Sequence, residues 1–196
     1  MSTFETLALS KHPRDAVFEA ARDCLERVVR DVEDVDRMVC QRRLETDDGR
    51  VELTNVWYAK TPIPTAIQGF LKPHMLVWTD HAVWTSADHT CQWRVVSRFF
   101  PENVKCSGFT RYESTMRGQT RVVVRGEISV DPRGLVDLAL ARGMEEFIGT
   151  LFPSAVRRVI DCVSRHLSDA AAPIRAVSGG RSPHDDQAPS FAGRAR

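Results

Sequence analysis

The sequence predicts one α+β domain in which a strongly curved, seven-stranded antiparallel sheet wraps around a long C-terminal helix. Three observations lead there. Between about residues 37 and 130 apolar residues recur with a period of two, and turn residues cut this stretch into six segments that read as three hairpins. From about residue 131 to Leu167 the period becomes helical, with one apolar stripe through Val136, Leu140, Met144, Phe147, Leu151, Ala155, Val159 and Val163. A helix with so long a stripe needs a partner, and only the concave face of the sheet is large enough to supply it.

The elements follow in order. Phe4 to Lys11 alternates weakly and reads as a first strand. Pro13 suits the first turn of a helix, and Asp15 complements the dipole at that end. Val17, Phe18, Ala21, Cys24, Leu25, Val28, Val29 and Val32 keep helical spacing to about Val35, with a break expected between Asp31 and Asp36. Strands then run from Arg37 to Thr46 and from Arg50 to Lys60, joined by Asp47-Asp48-Gly49, where glycine supplies a positive φ. The link Thr61-Pro62-Ile63-Pro64 cannot be a central strand, because neither proline has a backbone donor. His74 to Thr85 pairs with His89 to Phe99, and Val104 to Met116 with Gln119 to Val130. Asp131 and Pro132 read as cap and first residue of the last helix, and Pro153 predicts a kink or restart inside it. The domain therefore spans residues 1–168. Residues 169–196, rich in Pro, Gly, Ser and charge, read as a disordered tail.

Bulk properties set limits on function. Of 196 residues, 42% are hydrophobic and 27% charged, which is ordinary for a globular domain and enough for a sizeable core. A formal net charge of +1 argues against a nucleic-acid partner. The opening MSTFETLALS lacks a basic region followed by an apolar core, so no secretory signal is expected, and no stretch reaches the ~20 apolar residues of a membrane span. Five scattered cysteines without a CxxC pair suggest reduced thiols and a cytoplasmic setting. No glycine-rich phosphate loop and no GxSxG elbow occurs, and His74, His81 and His89, with Asp80 and Asp88, have no diagnostic metal spacing. No cofactor is expected.

This order of elements resembles the START-like superfamily, also called SRPBCC, helix-grip or Bet v 1-like, over residues 2–168. The hairpin VDRMVCQRRLETDDGRVELTNVWY, the proline-containing link and the tryptophan-bearing hairpin also come in an order similar to the PRELI/MSF1 phospholipid-transfer proteins. The resemblance implies a helix-grip fold with a cavity between sheet and helix. It implies as partner a lipid or other hydrophobic small molecule, compatible with transient contact with a membrane surface.

Alternation assigns the strand faces. Met38, Cys40, Arg42 and Leu44 share one side, expected to be concave, with Val51, Leu53, Asn55 and Trp57. Cys91, Trp93, Val95, Ser97 and Phe99 form another inward set. So do Val104, Cys106, Gly108 and Tyr112, and Val122 to Val130 at every second residue. The segment from Val77 to Trp84 has no cleanly apolar face. Arg42 is the polar residue of most interest, since a buried guanidinium needs an anion or several acceptors, and a ligand phosphate or carboxylate would serve. The candidate ligand-binding set is Arg42, Trp57, Trp78, Trp93, Tyr112, Phe147 and Leu151. Two alternatives stand beside simple binding. One is an enzyme of the cyclase/aromatase kind using Arg42, Tyr112, Asp80 or His81; the other is an interaction protein that docks through the sheet edge or the tail.

Overall fold

The computed structural model describes residues 2–133 and 138–171. Its elements are β1 (Ser2–Ser10), α1 (Arg14–Asp23), α2 (Leu25–Val28), β2 (Val35–Glu45), β3 (Arg50–Ala59), β4 (Val77–Thr85), β5 (Thr90–Ser97), β6 (Val104–Ser114), β7 (Thr120–Val130) and α3 (Leu138–Ala171). All seven strands join one antiparallel sheet in the order β1-β7-β6-β5-β4-β3-β2. The expected α+β architecture is the observed one. The first strand pairs with the last, β7, leaving β1 and β2 as the two edges.

Tight turns join the hairpins where the sequence supplies residues that tolerate left-handed backbone. Gly49 has φ of 78° and Gly118 of 69°, both in αL territory that glycine enters without a Cβ penalty. His89 takes φ of 50° in the β4–β5 turn, and its Nε2 lies 2.9 Å from an Asp15 carboxylate oxygen of α1.

Several boundaries differ from expectation. The N-terminal helix breaks at Cys24, whose φ of −111° and ψ of 5° leave the helical region, and a 3-10 turn over Val29–Asp31 ends it. This bend turns Val28, Val29 and Val32 inward, where all three are buried. Pro13 stands at the cap position, one residue before the helix proper. Asp131, Pro132 and Arg133 are not helical; the described part of α3 starts at Leu138, and Val136 lies outside the described residues. The helix runs through Pro153 without a restart and reaches Ala171, so the first residues of the expected tail are its last turn. Residues 172–196 lie outside the described residues.

The core has two parts. The larger lies between the concave face, α1 and α3, and holds Phe18, Trp84, Trp93, Tyr112, Val122, Ile128 and Val163. The smaller closes one end of the sheet. There the proline link folds back as two 3-10 turns and sets Ile63, Ile67, Leu71 and Leu76 against Val104, Val130, Leu140 and Met144. Gly143 lets this plug meet α3: a Cβ there would lie 2.7 Å from the Ile67 Cγ2. Phe18 closes the other end, edge-on to Trp84 and to Tyr112 at centroid distances of 5.4 Å each.

Candidate functional site

Sheet, plug, α1 and α3 leave a cavity of about 250 Å³. An engineered apolar cavity of ~150 Å³ holds benzene, so this space suits roughly a two-ring molecule. Strand register explains its walls. Residues directly opposite on antiparallel strands point to the same side, so each row across the sheet faces inward together, and members of each row line the cavity. One row is Phe4–Gly126–Gly108–Trp93–Ala82–Leu53. The next is Ile128–Cys106–Val95–Asp80–Asn55. Beyond it, Ser97, Trp78 and Trp57 stand in line. The α3 stripe through Met144, Phe147, Leu151, Ala155 and Val159 forms the roof.

Aromatic rings give the cavity its shape. Phe152 of α3 stacks on Trp93 at 5.0 Å and tilts against Phe4 at 5.6 Å. The Trp93 indole N–H donates to the Thr110 hydroxyl at 3.1 Å, which fixes the ring's orientation. Trp57 and Trp78 pair directly across β3 and β4, and their rings stack at 6.3 Å with an interplanar angle of 9°.

Asp80 is the most unusual polar group in this lining. It alternates along β4 with Trp78, Ala82 and Trp84, all of which line the cavity, so its carboxyl faces the cavity. The Asn55 amide, itself buried, donates to it at 3.4 Å. Burial pushes the Asp80 carboxyl up to about 6, partly offset by the Asn55 and Trp57 N–H donors. Burial also pushes the Cys106 thiol up to about 12, and the Cys91 thiol and Tyr112 hydroxyl well above their ordinary values, so these three stay neutral near pH 7. The buried Trp84 indole N–H has no hydrogen-bond partner among the described residues. Near α2, Asp34 lines the cavity and is ion-paired to Arg158 of α3.

Of the candidate residues, Trp57, Trp78, Trp93, Tyr112, Phe147 and Leu151 come together around the cavity. Arg42 does not. The β2–β3 register slips between Cys40 and Arg42, a bulge that places two residues of one strand against one of the other. Before the bulge Met38 and Cys40 oppose the inward Trp57 and Asn55; after it Arg42 opposes Thr54, and Arg43 opposes the inward Leu53. Arg42 is thereby turned to the outer face and exposed, and Leu44 with it. Phe99 is also exposed, because β5 ends at Ser97 and Phe100 turns in instead. His81 lies on the outer face with Val83, and His74 meets Phe99 edge-on. Among the described residues, no group of three His, Cys, Asp or Glu is placed to hold a metal ion, and no helix is long and apolar enough to cross a membrane.

This arrangement is the helix-grip, or Bet v 1-like, fold. Among solved structures the chain is similar to a protein of Thermus thermophilus, with a TM-score of 0.62 and 12% identity over 87% of this chain and 100% of that one. The Zhui aromatase/cyclase from a Streptomyces species matches with a TM-score of 0.61 and 16% identity, over 91% of this chain and 99% of the other. Ara h 8.0201 matches with a TM-score of 0.56 and 12% identity, over 86% and 98% respectively. No protein-family profile and no curated protein sequence matches the chain.

Proposed function

We propose that this protein binds a small, flat hydrophobic molecule between the sheet and α3. The observation that carries the reading is the cavity of about 250 Å³, walled by aromatic and aliphatic side chains with few polar groups. That volume favours a compact ring compound over a two-chain phospholipid, whose acyl chains need several times the space. Five free cysteines suit a reducing compartment such as the cytoplasm.

Native mass spectrometry of the purified full chain tests the proposal, together with calorimetric titration of 2-methylnaphthalene. Binding to the wild type and its loss in Ala155→Trp, which fills the roof, is the expected pair of results. An empty spectrum combined with no heat of binding would sink it.

A second reading, an enzyme of the aromatase/cyclase kind, draws support from Asp80. A carboxyl held at about 6 inside an apolar cavity can give or take a proton near neutral pH. Zhui is an aromatase/cyclase, and what this chain shares with it is the fold. Turnover of a linear poly-β-ketone that disappears in Asp80→Asn would favour catalysis over binding alone.

A further inference from the structure

We infer that the Asp80 end of the cavity selects a ligand that carries a protonated amine next to a flat aromatic ring. This rests on the cavity-binding reading and narrows it to a chemical class.

The first ground is an unbalanced charge. Asp80 stands inside the apolar space, and among the described residues no Lys, Arg or His lines the cavity. Among those residues no salt bridge reaches Asp80 either. Its support is two neutral donors, the Asn55 amide and the Trp57 indole N–H. Neutral donors orient a carboxylate and stabilise its charged form, but they leave its negative charge uncompensated in a medium of low dielectric. A cation delivered by a ligand completes the pair.

The second ground is what stands beside the carboxylate. The stacked indoles of Trp57 and Trp78 occupy the neighbouring row of the sheet. Indole faces attract cations, most strongly where water is excluded, and they also accept the face or edge of a ligand ring. Carboxylate and indoles together recognise an aromatic amine salt. A neutral hydrocarbon gains only from the apolar walls.

The groups facing Asp80 leave its titration easy to isolate. Asn55 and Trp57 of β3 do not titrate between about pH 5 and 8. Cys91 of β5 and Cys106 of β6 are held protonated by burial over that range. The α3 residues over the cavity are uncharged, and Asp34 at the α2 end is already paired with Arg158. With the free carboxyl at about 6, affinity for a cation falls roughly tenfold for one pH unit below that value.

The test titrates the full chain with 2-naphthylmethylamine, 2-naphthylmethanol and 2-methylnaphthalene by calorimetry at about pH 7.5 and about pH 5. At the higher pH the amine is expected to bind about tenfold or more tighter than either neutral probe. That advantage should disappear at the lower pH and in Asp80→Asn, while the neutral probes change little. The wild-type pH series stands alone should the variant fold poorly. Methylnaphthalene binding without preference for the amine, or a preference that survives both acid and Asp80→Asn, overturns this inference and leaves the cavity reading in place. Failure of all three probes to bind overturns both.

Discussion

Gly108 and Gly126 face each other across β6 and β7, and the rings of Trp93 and Phe4 occupy the space where their side chains would stand. A Cβ on Gly126 would fall 2.6 Å from Phe4 Cζ and 2.8 Å from Trp93 Cη2, both ring atoms that a small tilt can move. On Gly108 it would fall 2.2 Å from the Arg125 carbonyl oxygen, which is fixed by the sheet ladder. The two substitutions therefore differ in cost. Gly126→Ala is expected to destabilise by about 1–2 kcal/mol and Gly108→Ala by about 3 kcal/mol or more. Urea denaturation measures both, and equal costs would show that the backbone of β7 yields as easily as a ring.

The buried carboxyl of Asp80 predicts a pH-dependent gain from its removal. Its folded value of about 6 lies above the ordinary 3.8, so between those limits the native state holds a proton that the unfolded chain has released. Stability contributed by the protonated acid is complete below about pH 4 and is lost as the pH rises through about 6. The full difference is on the order of 3 kcal/mol. Asp80→Asn should be more stable than the wild type by on the order of 2 kcal/mol at about pH 7.5, with the gap closing by about pH 4. Urea midpoints at the two pH values read this directly, and a gain that ignores pH would mean that the charge is not what strains the site.

Arg42 and Arg43 show both how far the sequence could be read and where reading stopped. Period-two alternation placed the inward residues of β3, β6 and β7 correctly, because those strands pair without interruption. It failed on β2 because alternation assumes an unbroken ladder, and the bulge after Cys40 inverts every later residue. The inward arginine is Arg43, which reaches Asp23 of α1 at 2.8 Å and Glu45 at 2.9 Å. Arg42→Ala is expected to change stability by less than about 0.5 kcal/mol, and Arg43→Ala to cost about 1 kcal/mol at low salt, less at high salt. The reverse ranking in thermal melts would place the bulge elsewhere.

The candidate site was half legible for a related reason. Large apolar residues announce a wall by their periodicity, and so the tryptophans, Tyr112, Phe147 and Leu151 could be gathered from the sequence. β4 has mixed faces, since Asp80 sits between Trp78 and Ala82 on one side and His81 between Thr79 and Val83 on the other. Only its register against Asn55 and Val95 shows that the acid points inward. The signal was present as two polar residues at inward positions of neighbouring strands. Recognising it required the strand pairing.

Pro153 gives the last expectation. Its ring nitrogen cannot donate to the Gly149 carbonyl four residues earlier, so α3 lacks one rung at the turn that carries Phe152 into the Phe4–Trp93 cluster. The glycine at 149 weakens the same turn, because it has the greatest backbone freedom to lose. Helix continuity through this point is thus maintained by packing on the sheet rather than by local propensity. Pro153→Ala restores the missing donor and is expected to stabilise the protein by about 1–2 kcal/mol, below the ~3 kcal/mol propensity difference because the surrounding structure is already fitted to the proline. Hydrogen exchange should show the amides from Phe152 to Val156 slowing in the variant. Faster exchange there would mean that the proline sets the course of α3, and that Phe152 meets Trp93 only because the helix is bent to bring it there.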